Sequence, residues 1–379
     1  MAATISINTD AWNSEEIFTS GQSYFSSLFL AIQQAQRSIW IETYILRDDP
    51  VGAGIVELLE QAAAKGLDVR LMIDGIGSQE WIAARLHTRK APRFPLRVYN
   101  AVNAWKVLKM LGLLHWRSFW IEFRRSSRRT HRKLVIIDRE LAYVGSMNLC
   151  AEPVESIQGG RAWRDTAARV KGPGLELLCS TFERVWGGQR IKFNRAEEHW
   201  TRIIRDNATA RQRFRNHRKL LRELRQAKRR VWVTAAYFVP VRSFRRELRA
   251  AARRNVDVRV IVPGVSDVFF LPWVSRQFFG RLLRSGVRIF EFQNRMIHAK
   301  TIIIDDSAWI GSSNLNGRSL YWDMELDVRV SRSESLARLS SQFEEDQQQS
   351  VEFRGDRIGR WLGIPRLIGR FLLKFSRHI

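Results

Sequence analysis

Apolar and polar positions alternate along this chain in blocks that recur in the same order. The run RSIWIETYIL (37–46) follows a helical pattern and a basic residue, and RRVWVTAAYF (229–238) does the same. Both are rich in β-branched and aromatic side chains, the composition of a buried strand. An Ala- or Arg-rich stretch of helical periodicity follows each, then a second apolar run, GLDVRLMIDG (66–75) or NVDVRVIVPG (255–264). This strand–helix–strand order predicts parallel crossover units.

A third echo lies downstream, where HRKLVIID (131–138) returns as HAKTIIID (298–305), 167 residues later. The first two echoes are about 190 residues apart, and the shorter offset here reflects extra sequence at 87–128 in the first half. Three echoes in one order imply an internally duplicated α/β unit. The predicted organisation is an N-terminal domain over 1–190, a basic, solvated helical connector over 191–225, a C-terminal domain over 226–350 and a basic tail over 351–379.

The third echo carries the candidate chemistry. His131, Lys133 and Asp138 match His298, Lys300 and Asp305, and each set continues to a G-S-x-N stretch: Gly145, Ser146, Asn148 and Gly311, Ser312, Asn314. Residues two apart on a strand share a face, so each His–Lys pair can look into one cleft. Arg132, whose counterpart is Ala299, alternates to the other face and is expected at the surface. Six residues separate Asp138 from Gly145 but five separate Asp305 from Gly311. A hairpin turn one residue shorter would absorb that deletion and leave Asn314 in place.

Neutral imidazole is a nucleophile or base near pH 7, and its protonated form is an acid. Two lysines and two asparagines add charge and hydrogen-bond donors without a metal. Together they could hold a phosphodiester through in-line displacement, with a phosphohistidine splitting the reaction into two steps. Residue chemistry leaves open which histidine attacks.

The duplicated H-x-K-x4-D with its G-S-x-N tails resembles the phospholipase D superfamily, and bacterial cardiolipin synthases within it. Further stretches that carry the likeness are WRDTAARVKGPG and DMELDVRV. The resemblance implies an α/β fold, an α-β-α sandwich of two pseudo-symmetric phospholipase D-like domains sharing one active site. It also implies His131 as nucleophile and His298 as general acid/base. Asp165 and Glu325 become the expected histidine orienters, with Lys133, Lys300, Asn148, Asn314, Ser146 and Ser312 binding phosphate. Asp138 and Asp305 are expected to brace the fold. The implied reaction is phosphatidyl transfer forming cardiolipin from phosphatidylglycerol and a second phospholipid. Hydrolysis of lipid or nucleic-acid phosphodiesters is the alternative, because water competes for the same intermediate. A catalytically dead binding module is disfavoured by the complete motif set. No cofactor or metal is implied.

Charge and aromatic content bear on the partner. Lys and Arg number 63 against 38 Asp and Glu, a formal +25 that attracts polyanions. Two free cysteines without metal-ligand spacing fit a reducing compartment. The segments 101–125 and 268–283, each ahead of a motif, interleave Trp105, Trp116, Trp120 and Trp273 with basic residues. In the tail, Arg366, Arg370 and Lys374 fall at helical spacing beside Trp361. Such mixtures suit an anionic lipid interface. Stacked single-stranded nucleic acid could use them too, so it is disfavoured rather than excluded. The start lacks a signal-peptide pattern and no apolar run is long enough to span a bilayer. The expected location is therefore peripheral, on the cytoplasmic side of a bacterial inner membrane; oligomeric state leaves no trace.

Overall fold

The computed structural model describes residues 11–86, 91–101, 127–188, 202–354, 369 and 371. The first half forms a seven-stranded sheet from β1 (Ser14–Phe18), β2 (Ser38–Thr43), β3 (Asp68–Asp74), β4 (Leu96–Tyr99), β5 (Leu134–Ile137), β6 (Leu141–Gly145) and β7 (Ala167–Lys171), in the order β1-β7-β6-β5-β2-β3-β4. The second half adds β8 (Ile204–Asp206), β9 (Arg230–Ala235), β10 (Asp257–Pro263), β11 (Arg288–Phe292), β12 (Lys300–Ile304), β13 (Ser307–Gly311), β14 (Leu326–Val330) and β15 (Ser350–Glu352). Its order, read from the other edge, is β8-β14-β13-β12-β9-β10-β11-β15. Apart from the extra β15, the two sheets repeat one another strand for strand.

The predicted crossovers are present: β2 pairs in parallel with β3, and β9 with β10. The motif strands run antiparallel to these, so both sheets are mixed. All six residues of β2 are buried, the polar Ser38, Glu42 and Thr43 along with Ile39, Trp40 and Ile41. A shared core takes Leu134 and Ile136 from β5, Ile303 from β12, Phe182 from the helix Leu175–Trp186 and Phe343 from the helix Ser333–Gln348. Val135 and Ile137, alternating to the other face, pack under the helices Gly21–Gln34 and Pro50–Ala64. Helices thus cover both faces of the first sheet, giving the expected α-β-α layering.

The stretch expected to be a solvated connector is packed from Ile204 onward. β8 is an edge strand of the second sheet, paired with β14. The helix Ala210–Gln226 is fixed at its start by a Thr209–Gln212 capping box, and Leu220, Leu221 and Leu224 enter the second sheet's outer core. Its many arginines hid a three-leucine stripe that faces inward.

The hairpin deletion is confined to the turn. Ile137 faces Leu141 across three turn residues, whereas Ile304 faces Ser307 across two. Beyond the turn, Leu134 faces Val144 and Thr301 faces Ile310, which is the equivalent register. Asp138 and Asp305 sit in these turns at φ 54° and 48°, a left-handed conformation that aspartate tolerates better than most residues. Asp138 accepts from the backbone N–H groups of Gln36, Arg37 and Ser38, and Asp305 from those of Lys228, Arg229 and Arg230. Each fastens a helix–strand junction to the motif hairpin. Asp138→Ala or Asp305→Ala is expected to cost about 1–2 kcal/mol, because water replaces only part of each acceptor set. A thermal melt of either variant checks this.

Candidate active site

The two halves exchange residues where their motifs meet. The His131 backbone N–H donates to the Met324 carbonyl at 2.9 Å, and the His298 N–H donates to the Arg164 carbonyl at 2.8 Å. These contacts bring the acidic segment of each half against the histidine of the other. His131 Nδ1 lies 3.1 Å from Glu325 Oε2, and His298 Nδ1 lies 2.9 Å from Asp165 Oδ1. Both expected carboxylates are therefore at the histidines, but crossed.

The backbone fixes one tautomer. His131 Nδ1 is also 3.1 Å from the Ser312 carbonyl oxygen, which can only accept, so the ring proton is assigned to Nδ1. Nε2 then carries a lone pair. Burial, followed by the charges of Lys133 and Lys300, holds the His131 pKa well below the ordinary 6.5, so the ring rests neutral.

The other pair is electrostatically different. Burial works to raise Asp165, yet His298, Lys300 and a hydrogen bond from Ser146 overcome it and hold its pKa at about 2. Burial pushes Glu325 upward instead, against the opposing pull of Lys133. His298 is lowered by burial, with Asp165 resisting. The firm carboxylate thus stands behind His298, the ring better placed to take up a proton.

Lys133 donates to the His131 carbonyl at 2.9 Å, and Lys300 to the His298 carbonyl at 2.8 Å. Lys300 Nζ is also 3.0 Å from His298 Nε2. Burial lowers Lys133 to about 7, helped by Lys300, and lowers Lys300 to about 8. Asn148 uses its oxygen on the Ile45 N–H at 3.3 Å, which directs its amide donors elsewhere. Asn314 Oδ1 is buried and accepts from no described residue.

Two expectations need correction. Ser146 and Ser312 are fully buried, and their hydroxyls are engaged within the protein. The Ser146 hydroxyl hydrogen-bonds to Asp165, and Ser312 Oγ accepts from the Leu326 N–H at 3.0 Å. They brace the carboxylate-bearing segments. The neighbouring glycines serve strand approach: a Cβ on Gly145 would meet Ala167 Cα at 2.5 Å, and one on Gly311 would meet Asp327 Cα at the same distance.

Arg132 is not at the surface but 0% exposed. It sits 3.3 Å from Glu42 of the first half and 3.9 Å from Asp206 of the second. Strand alternation correctly turned it from the His–Lys face, but the opposite face is the junction between halves rather than solvent.

Aromatic walls were not foreseen. The Tyr44 ring lies 4.8 Å from His131, with Lys133 5.4 Å above it. Tyr237 stands 6.1 Å from His298 and 5.9 Å from Lys300, and Trp163 is 5.3 Å from His298. Tyr44 follows Trp40 by four residues and Tyr237 follows Trp232 by five, so aligning the repeats on tryptophan hides their equivalence.

Of the expected lipid contacts, Trp273 is half-buried in the helix Leu271–Leu283, edge-on to Phe269 at 5.8 Å. Phe269 is 73% exposed. Trp105, Trp116, Trp120, Trp361, Arg366, Arg370 and Lys374 lie outside the described residues. No helix among the described residues is long and apolar enough to cross a membrane, and no described cluster of acids, histidines and cysteines could hold a metal ion.

Comparisons with known proteins place the chain in one family. A family described as cardiolipin synthase, phospholipase D-like domain, matches residues 28–158 and 220–347. The chain is 29% identical over 360 residues to a probable cardiolipin synthase of Bacillus subtilis (strain 168), covering 92% of this chain and 68% of that protein. It is 31% identical over 334 residues to cardiolipin synthase B of Escherichia coli (strain K12), covering 84% and 76%. Among solved structures, phosphatidylserine synthase of Haemophilus influenzae Rd KW20 aligns with a TM-score of 0.70 over 96% of this chain and 92% of that one. At 13% identity that likeness concerns the fold.

Proposed function

Because the chain belongs to the cardiolipin synthase family of phospholipase D-like proteins, we propose that it forms cardiolipin by phosphatidyl transfer through His131. The observation that carries this reading is the crossed pair of buried His–carboxylate contacts flanked by two lysines. His131 Nε2 attacks the phosphorus of a donor phospholipid, forming a P–N bond as the headgroup oxygen leaves. His298 gives the leaving oxygen its proton. The neutral base then takes the proton of a phosphatidylglycerol hydroxyl, whose oxygen displaces His131 and completes the product. Lys133 and Lys300, with the amides of Asn148 and Asn314, hold the non-bridging oxygens where negative charge accumulates.

The exposed Phe269 beside Trp273 supports a peripheral lipid contact, at the cytoplasmic face of a bacterial inner membrane, where the +25 charge meets anionic lipid. Incubation with phosphatidylglycerol vesicles, alone and with other donors, tests the reaction by product separation. Cardiolipin is the expected product. Phosphatidate alone would establish a hydrolase, and cleavage of DNA without lipid turnover would replace the reading altogether.

The lysines set an expected pH profile. A lysine pulled down to about 7 or 8 is charged below that pH and neutral above it. Their hold on phosphate therefore weakens as pH rises through 7–8, while His131 remains a free base down to below 6.5. The lysine-dependent alkaline limb of kcat/KM, which reports the free enzyme, should fall in that 7–8 window, above any limb from the His298 acid, whose lowered pKa places it below 6.5. Lys133→Arg should move the limb upward, since arginine stays protonated. A limb unmoved by that substitution would assign it to another group.

A further inference from the structure

The second half holds a cavity, open to solvent at its mouth, between the helix Ala210–Gln226, β12, β13 and the short helix Gly317–Tyr321. The repeat shows what the first half has in its place. Gly145 faces Ala167 and Gly311 faces Asp327, so these positions correspond. Their partners on the edge strands are Phe18 and Arg205, and the matching residues on β6 and β13 are Tyr143 and Trp309. In the first half Phe18, Tyr24 and Tyr143 pack ring against ring, with centroids 5.7–6.1 Å apart. In the second, Arg205 lies 3.5 Å over Trp309 and is tied to Glu223, and open space borders them.

The cavity wall is mainly apolar, with amides and the charged side chains of Arg205, Arg213, Lys300 and Asp327 set into it. Leu220, Phe244 and Leu320 supply the apolar side. Asn216 is 2% exposed, and its amide nitrogen donates to the Asp206 carbonyl and to Asn207 Oδ1, which fixes the amide's orientation. Its Oδ1 is left without a donor among the described residues, and so is Asn314 Oδ1 on the same cavity. The two acceptors, of which Asn216 Oδ1 is held in place, call for O–H or N–H donors, which a phosphodiester group does not offer. A ligand with hydroxyls on one side and C–H on the other matches both walls. The cavity also reaches Lys300, whose Nζ is 3.0 Å from His298 Nε2.

We propose that this cavity seats the hydroxylated end of the acceptor, a small neutral polyol of the glycerol class, and presents one hydroxyl to His298. The inference rests on the phosphatidyl-transfer reading. In the step it serves, the acceptor O–H proton passes to His298 Nε2, the oxygen forms the new P–O bond, and the P–N bond breaks with its electron pair returning to His131. The polyol is free glycerol or the glycerol headgroup of a lipid, and both present the same hydroxyls.

The test separates binding from turnover. Saturation-transfer NMR with glycerol on the inactive His131→Ala protein reads occupancy directly. A signal is expected, and it should vanish when Leu320→Trp fills the cavity and fall when Asn216→Leu removes one acceptor. On the active background, two arms read the product: cardiolipin against phosphatidate from phosphatidylglycerol vesicles, and labelled glycerol entering phosphatidylglycerol. Both variants should lower transfer relative to hydrolysis by about ten-fold, the scale of one lost hydrogen bond to a hydroxyl. Loss in the vesicle arm alone would identify the lipid-borne polyol, and loss in both would include free glycerol. A folded Leu320→Trp protein, with an unshifted melt, that keeps the glycerol signal and the wild-type product ratio would overturn the proposal. If the wild type makes no cardiolipin at all, the functional reading falls, and the NMR arm still decides the cavity.

Discussion

His131→Ala is expected to abolish lipid turnover, with a loss of at least about a thousand-fold, because it removes the ring assigned to form the P–N bond. His298→Ala should differ in kind. Attack by His131 survives that substitution, and only protonation of the leaving oxygen is lost. A donor whose leaving group needs no proton, such as a nitrophenyl phosphodiester, should therefore still load His298→Ala and stop at the phosphoenzyme. Acid quench avoidance and alkaline peptide mapping locate the label, since phosphohistidine survives base. Label on His131 in the His298→Ala protein is the expected result. A His131→Ala protein that becomes labelled at His298 would reverse the two roles. The asymmetry of the site motivates this order: Asp165 is held ionised at about 2 behind His298, whereas Glu325 behind His131 is pushed upward by burial.

Arg132→Ala should be the most destabilising single change near the motif, by about 3–5 kcal/mol, because it strands carboxylates that the arginine neutralises. Glu42 and Asp206 come from different halves and are both buried. Burial already raises the Glu42 pKa, with Arg132 and a hydrogen bond from Thr130 opposing it. Deleting the arginine removes the larger of those two supports. The thermal midpoint should fall by roughly 6–15 °C, checked by calorimetry. Arg132→Ala/Glu42→Gln should recover part of the loss by removing one stranded charge. A single variant that melts like the parent would mean that water reaches the cluster.

Much of this was readable from the residues, and the parts that were not share a cause. The duplication follows from three echoes in one order, and the strand–helix–strand units and the His–Lys face follow from patterns that act within a few residues. Asp165 and Glu325 could be named only through the family resemblance their stretches carry. Their exchange between halves could not, because the contacts span 133 and 194 residues and nothing local specifies which acid meets which ring. Arg132 shows the same limit. Alternation gives the direction of a side chain but not whether water or another sheet lies there. The serines were misread because a hydroxyl near a motif suits phosphate as well as it suits a carboxylate, and only the distance decides. The helix Ala210–Gln226 shows how a chain rich in arginine masks a short apolar stripe.

The crossed pairing has a genetic consequence. Each histidine depends on an acid encoded in the other copy of the repeat. A symmetric dimer of one unit would place the same acid behind both rings, and any substitution would strike both at once. Joining the copies in one reading frame lets each position vary alone, and here one is aspartate and the other glutamate. The fused gene can thus set a different carboxylate behind each ring, an asymmetry that two identical subunits cannot inherit.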